Sequence, residues 1–145
     1  MKRPSALCSL WISLATVAAQ SVSDNEWEKI SRAAYAQHEI VALSIRQSNV
    51  AGLLPEMRKF YSLRFPAKYE SMLSGEIELV ADALMHVRQF AVAYQIIDEG
   101  LQSLRIDRNK AAVLRKKAYI LKKQGRDAEA LRYFKQSVSL EAGRP

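Results

Sequence analysis

At 145 residues, 49% hydrophobic and with only five glycines and four prolines, the chain is long enough to bury one core and too apolar for a disordered or collagen-like class. Its formal charge of +7 is unevenly spread: residues 21–104 hold eight Lys/Arg against eleven Asp/Glu, and residues 105–145 hold twelve against four. A basic end on a mildly acidic body implies an anionic partner or attraction between the two halves.

The chain opens with Lys2 and Arg3, followed by an uncharged stretch containing Ala6, Leu7, Leu10, Trp11, Ile12, Leu14 and Ala15. Val17 and Ala19 supply small residues three places and one place before Gln20, the pattern of a cleavable secretory signal over residues 1–19. The stretch falls short of the roughly 20 residues that span a bilayer, so a membrane role is expected only if the segment stays uncleaved. Cys8, the single cysteine, lies inside it, and Ser5-Ala6-Leu7 lacks the aliphatic residue a lipid-attachment box wants three places before the cysteine. Residues 20–145 therefore carry no disulfide and no thiol chemistry.

After the signal, apolar residues recur at helical spacing and no strand-length stretch alternates. Ser23 and Glu26 form a capping box for a first helix, with Trp27, Ile30, Ala34, Val41 and Ile45 on one face. Ser48 and Asn49 cap a second, carrying Leu53, Leu54, Met57, Phe60, Tyr61 and Phe65; Pro55 within it predicts a kink or a shortened helix. Pro66 suits the first position of a third helix, with Ile77, Val80, Ala81, Leu84 and Val87 inward. A fourth carries Ala93, Ile97, Leu101 and Leu104. A fifth, over residues 109–124, turns Leu114, Ala118 and Leu121 inward and stops at Gly125. A sixth carries Ala130, Leu131, Phe134, Val138 and Leu140. Short connections predict antiparallel neighbours.

Large and small residues alternate in order along residues 111–144: Leu114, Ala118, Leu121, Gly125 at the turn, then Ala130, Phe134 and Ser137. With the string Lys123-Gln124-Gly125-Arg126-Asp127-Ala128-Glu129-Ala130-Leu131, this segment resembles a tetratricopeptide repeat, a 34-residue unit of two packed helices. Lys117 and Ala142 stand where the family has leucine and proline, which suits a terminal unit facing water. Residues 74–107 repeat the pattern more weakly through Ile77, Ala81, Leu84, Ala93, Ile97 and Gly100, with a three-residue slip before the next unit. Residues 24–65 show no such match, so the hairpin in residues 20–65 is either a decayed repeat or unrelated, ahead of two repeat-like hairpins in residues 66–145. The resemblance implies an all-α fold of hairpins stacked as a short right-handed solenoid.

No phosphate loop, nucleophile elbow or zinc-type spacing occurs, and no enzyme, cofactor or resident metal is expected. Glu78, Asp82 and His86 lie four residues apart along one helical face. Three such groups can share a metal only with ligands from a second element, so the reading is a polar groove wall. In the repeat register these line the concave groove, and their counterparts are Arg115, Tyr119 and Lys123. His38 beside Glu39 reads as a surface or groove residue. The basic cluster Arg115, Lys116, Lys117, Lys122, Lys123 and Arg126 reads either as a solubilising face or as a dock for an acidic peptide. A secretory signal and the lack of a nucleic-acid motif argue against nucleic acid.

The sequence thus predicts an exported adaptor that holds a peptide or protein through Glu78, Asp82, His86, Arg115, Tyr119 and Lys122. The alternative is a structural subunit of an envelope assembly, self-associating through the N-terminal hairpin with Trp27, Phe60, Tyr61 and Phe65 as anchors.

Overall fold

The computed structural model describes residues 23–143. Six α-helices make up the fold: α1 (Asp24–Arg46), α2 (Val50–Tyr61), α3 (Glu70–His86), α4 (Phe90–Ser103), α5 (Asp107–Lys123) and α6 (Asp127–Glu141). One turn of 3-10 helix, Ala67–Tyr69, precedes α3, and no strand occurs among the described residues. The all-α class predicted from periodicity is the observed one. Residues 1–22, which carry the signal expectation, lie outside the described residues.

The helices pair as α1–α2, α3–α4 and α5–α6, and the pairs pack on one another in chain order, α2 against α4, α3 against α5 and α4 against α5. Each pair is joined by three residues, and all three turns are built alike. Ser48, Arg88 and Gly125 adopt left-handed backbone, with φ of 55°, 62° and 72°. The N–H of each bonds to the carbonyl three residues back, on Ile45, Met85 and Lys122. The next N–H, on Asn49, Gln89 and Arg126, reaches five residues back to Ser44, Leu84 and Leu121. This double bond pattern is the Schellman motif, which satisfies the last carbonyls of a helix and reverses the chain.

Burial keeps the same register when counted from the left-handed residue. Seven places before it stand Val41, Ala81 and Ala118, each 0% exposed. Five places after it stand Leu53, Ala93 and Ala130, and twelve places after it Phe60, Gly100 and Ser137, all buried. At Gly100 the requirement for a small residue is steric, because a Cβ there would come within 2.5 Å of Ile77 Cδ1 on α3. In the first hairpin the large Leu53 and Phe60 occupy places that are small in the other two, which explains why residues 24–65 match no repeat in sequence.

Glu70, the first residue of α3, ties the second hairpin to the third. Its carboxylate is 1% exposed and accepts the Ile106 N–H at 2.8 Å, the Arg105 N–H at 3.1 Å and the Asn109 amide at 3.1 Å. The Arg105 guanidinium lies 3.5 Å away and donates onward to the Phe65 carbonyl at 2.6 Å. Because Ile106 caps α5, the carboxylate also sits at the positive end of that helix. Burial pushes the Glu70 carboxyl up, but the bonds from Ile106, Asn109 and Arg105, with the Arg105 charge, outweigh it and hold the pKa below its ordinary value.

Several local expectations are corrected. Pro66 does not open the third helix; it precedes the 3-10 turn and accepts the Tyr69 N–H, and α3 begins only at Glu70. The second helix runs through Pro55 from Val50 and ends at Tyr61, so Phe65, expected on it, lies beyond its end. Val87, expected inward, is 60% exposed because it follows the last residue of α3 and stands beside the turn. Leu131 and Val138, 54% and 64% exposed, lie on the outer side of the last helix, where no further hairpin packs. Conversely Ile96, Val113 and Ile120 are 0% exposed, because inner helices have neighbours on two sides and bury a second row.

Two predictions follow from these contacts. Left-handed backbone costs non-glycine residues about 1 kcal/mol, so Ser48→Gly and Arg88→Gly each stabilise by about 0.5 kcal/mol, while Gly125→Ala destabilises by about 1 kcal/mol, read in urea unfolding. Glu70→Ala strands the buried Asn109 amide and the partly buried Arg105 and Ile106 N–H groups and costs about 3 kcal/mol. Since the folded pKa of Glu70 is depressed, its contribution is complete above the unfolded value near 4.5 and is lost as pH falls through the lower folded value. Glu70→Gln therefore shows a smaller fall in stability over that acid range than the wild type.

Candidate functional site

Because the turns are equivalent, residues of the three first helices can be matched by their distance from the turn. Ten places before the left-handed residue stand His38, Glu78 and Arg115; six before, Ala42, Asp82 and Tyr119; two before, Arg46, His86 and Lys123. The exposed surface between α3 and α5 is where most of the predicted groove residues fall.

Asp82 meets Lys116 Nζ at 2.8 Å, joining α3 to α5. Lys117, the next residue, reaches Asp98 on α4 at 2.6 Å and lies over the Tyr133 ring at 4.5 Å. Arg115 bridges to Glu141 at the end of α6 at 2.7 Å. The basic helix is therefore partly neutralised by its neighbours. Lys122 and Lys123 at its end are exposed and have no acidic partner among the described residues.

Glu78 differs from these. It is half-buried and has no hydrogen-bond partner among the described residues. Its counterpart His38 instead bonds through Nδ1 to Glu76 Oε2 at 2.8 Å, linking α1 to α3. Val113 on α5 stands at the place that Glu76 holds on α3, so the side chain matching the partner of His38 is one that cannot hydrogen-bond. Burial pushes the Glu78 carboxyl above its ordinary pKa; Lys116 and Arg115 pull it down, and Asp82 adds to the rise.

The six predicted residues thus fall into two groups. Glu78, Asp82 and Arg115 come together, with Lys116 as the member that sequence reading had left out of the groove list. Tyr119, 54% exposed, packs edge-on against Phe134 with centroids 5.1 Å apart. His86 turns its Nδ1 onto the Asp82 carbonyl of its own helix at 2.7 Å, and Lys122 touches none of the others among the described residues. No cluster of three or more His, Cys, Asp or Glu suited to a metal ion occurs among the described residues. None of the described helices is long and apolar enough to cross a membrane.

The aromatic anchors assigned to self-association are engaged inside the fold. Trp27 stacks on Tyr69 at 3.6 Å, Phe60 and Phe65 are buried against each other, and the Tyr61 hydroxyl donates to the Ile96 carbonyl at 2.8 Å. Phe60 and Phe65 are thus buried, while Trp27 and Tyr61 stay partly exposed.

Comparison with protein-family models, with characterised proteins and with solved structures returns no match. The reading of the site therefore rests on its own geometry.

Raised pKa means that the folded protein favours protonated Glu78, so ionised Glu78 costs stability above the unfolded value of 4.5. Glu78→Gln is expected to raise the melting temperature at pH 7 and to leave it nearly unchanged at pH 4, as followed by circular dichroism.

Proposed function

We propose that this chain is a small exported adaptor, three tetratricopeptide-like hairpins stacked as a short right-handed solenoid that holds an extended peptide or protein segment in its concave groove. The observation that carries the reading is the threefold recurrence of one turn and one burial register, at Ser48, Arg88 and Gly125, including the hairpin whose sequence departs from the repeat. Arrays of this kind present successive first helices as one continuous surface, and such surfaces bind other chains.

Groove chemistry supports a charged partner. Glu78 has an unused carboxylate, Tyr119 offers a half-exposed ring, and Lys122 and Lys123 end the groove in uncompensated positive charge. A bound segment places acidic residues against Lys122 and Lys123 and a donor against Glu78, with Asp82 and Lys116 holding the walls in register. Export follows from the signal pattern over residues 1–19, which places the adaptor in a periplasm or outside the cell. Catalysis has no part in this reading.

The test is crosslinking and capture from the native envelope fraction, with wild-type protein beside Arg115→Glu/Lys122→Glu. One partner is expected to be held by the wild type and reduced at least about tenfold in the variant, since each exposed charge reversal costs on the order of 1 kcal/mol. Capture that both proteins share equally sinks the groove as a binding site.

A further inference from the structure

Each inner joint of the fold buries a row on the first helix of the following hairpin. Val80 on α3, and Val113 and Ile120 on α5, belong to these rows and are 0% exposed. Counted from Ser48, the same places on α1 carry Ala33, Ala36, Ile40 and Leu43. All four are exposed, Ile40 at 43% and Leu43 at 45%. Among the described residues the first hairpin therefore ends in an uncovered half-joint.

We infer that this row is the interface of a homodimer, in which two α1 helices pack antiparallel about a two-fold axis beside residue 38. Residues 33, 36, 40 and 43 follow the alternating three-and-four spacing of a helix–helix seam. Antiparallel pairing at that centre sets Ala33 against Leu43 of the second copy and Ala36 against Ile40. Every small side chain meets a large one, and each contact occurs twice, as an isologous interface requires. Parallel pairing sets alanine on alanine and leaves a gap at one end.

Charge agrees with the same arrangement. The acidic first turn of α1, with Asp24 and Glu26, lies toward the basic last turn of the second copy, with Arg46, and the two helix dipoles oppose. Glu28 comes beside Arg46 of the second copy, again twice. Lys29 and Arg32 also come near Arg46 of the second copy, and Glu39 meets its own kind across the axis, so these like charges limit the affinity. The other uncovered apolar face, Leu131 and Val138 on α6, lacks this self-complementarity, and Arg132 and Lys135 on it repel a second copy. The seam includes none of the groove residues, so the dimer stands or falls apart from the groove.

The test is sedimentation equilibrium of the full chain over about 1–200 μM. A seam this short supports a dimer with a dissociation constant on the order of tens of micromolar. Ala36→Glu, at an exposed position, is expected to keep the wild-type circular dichroism and weaken dimerisation more than about 100-fold. Glu39→Gln is expected to tighten it a few-fold. Register is read in a Cys8→Ser background: an oxidised mixture of Ala36→Cys and Ile40→Cys chains gives at least about fivefold more disulfide dimer than either chain alone. The inference is overturned if the wild type stays monomeric throughout, if Ala36→Glu dimerises as the wild type does, or if the three crosslinking mixtures are equal. Dimers that form only after residues 1–19 are removed support the row as the interface of the processed protein, because the proposed export removes that segment, and the monomer criterion is then read on residues 20–145. Arg115→Glu/Lys122→Glu leaves the dimer unchanged.

Discussion

Burying Glu70 at the start of α3 is the constraint on which the geometry of the second and third hairpins depends. An ionised carboxylate withdrawn from water is tolerable only when its oxygens are fully bonded, and here the bonds come from residues 35 to 39 places further along the chain. Those donors lie in the short connection between α4 and α5 and in the first turn of α5. Satisfying one side chain therefore aligns the starts of α3 and α5, and through Arg105 it also holds the Phe65 carbonyl, just ahead of α3. The starts of α3 and α5 are thereby held at one relative height.

The joint between the first two hairpins uses a weaker version of the same device. His38 bonds one oxygen of the buried Glu76, while the other meets no partner. Across the next joint the matching places hold Glu78 and Val113, and no hydrogen bond joins them among the described residues. One register, filled by different residues, is thus a structural tie at one joint and not at the next. The charge asymmetry of the chain resolves the same way: Lys116 and Lys117 are drawn onto Asp82 and Asp98 of the preceding hairpin, and the excess that remains collects at the end of α5.

Both ends of the array keep faces that inner hairpins would cover, but they are not alike. On α1 the face is a narrow row of two alanines and two larger residues with mixed charges around it. On α6 it is apolar with basic neighbours. The dimer proposed through α1 closes at two copies and does not propagate as a filament.

Helix number, approximate bounds and the all-α class were determined by the sequence alone, because apolar spacing and caps are local signals. Ser23 and Asn49 bond the first-turn N–H groups as their positions announce, and Gly125 marks its turn because a glycine is free to adopt left-handed backbone. The matching turns at Ser48 and Arg88 were not legible, since serine and arginine give no hint of positive φ; packing imposes it. Nor was the equivalence of the first hairpin, where Leu53 and Phe60 hide a shared register behind different sizes. At the candidate site, Glu78, Asp82 and Arg115 were found from helical spacing on separate helices, whereas Lys116 as the partner of Asp82 and the desolvation of Glu78 were not. Neither was the burial of Glu70, an ordinary-looking acid near a helix start. Each of these depends on which helix lies opposite, and that is a property of contacts between residues more than 30 places apart, which only the tertiary structure brings together.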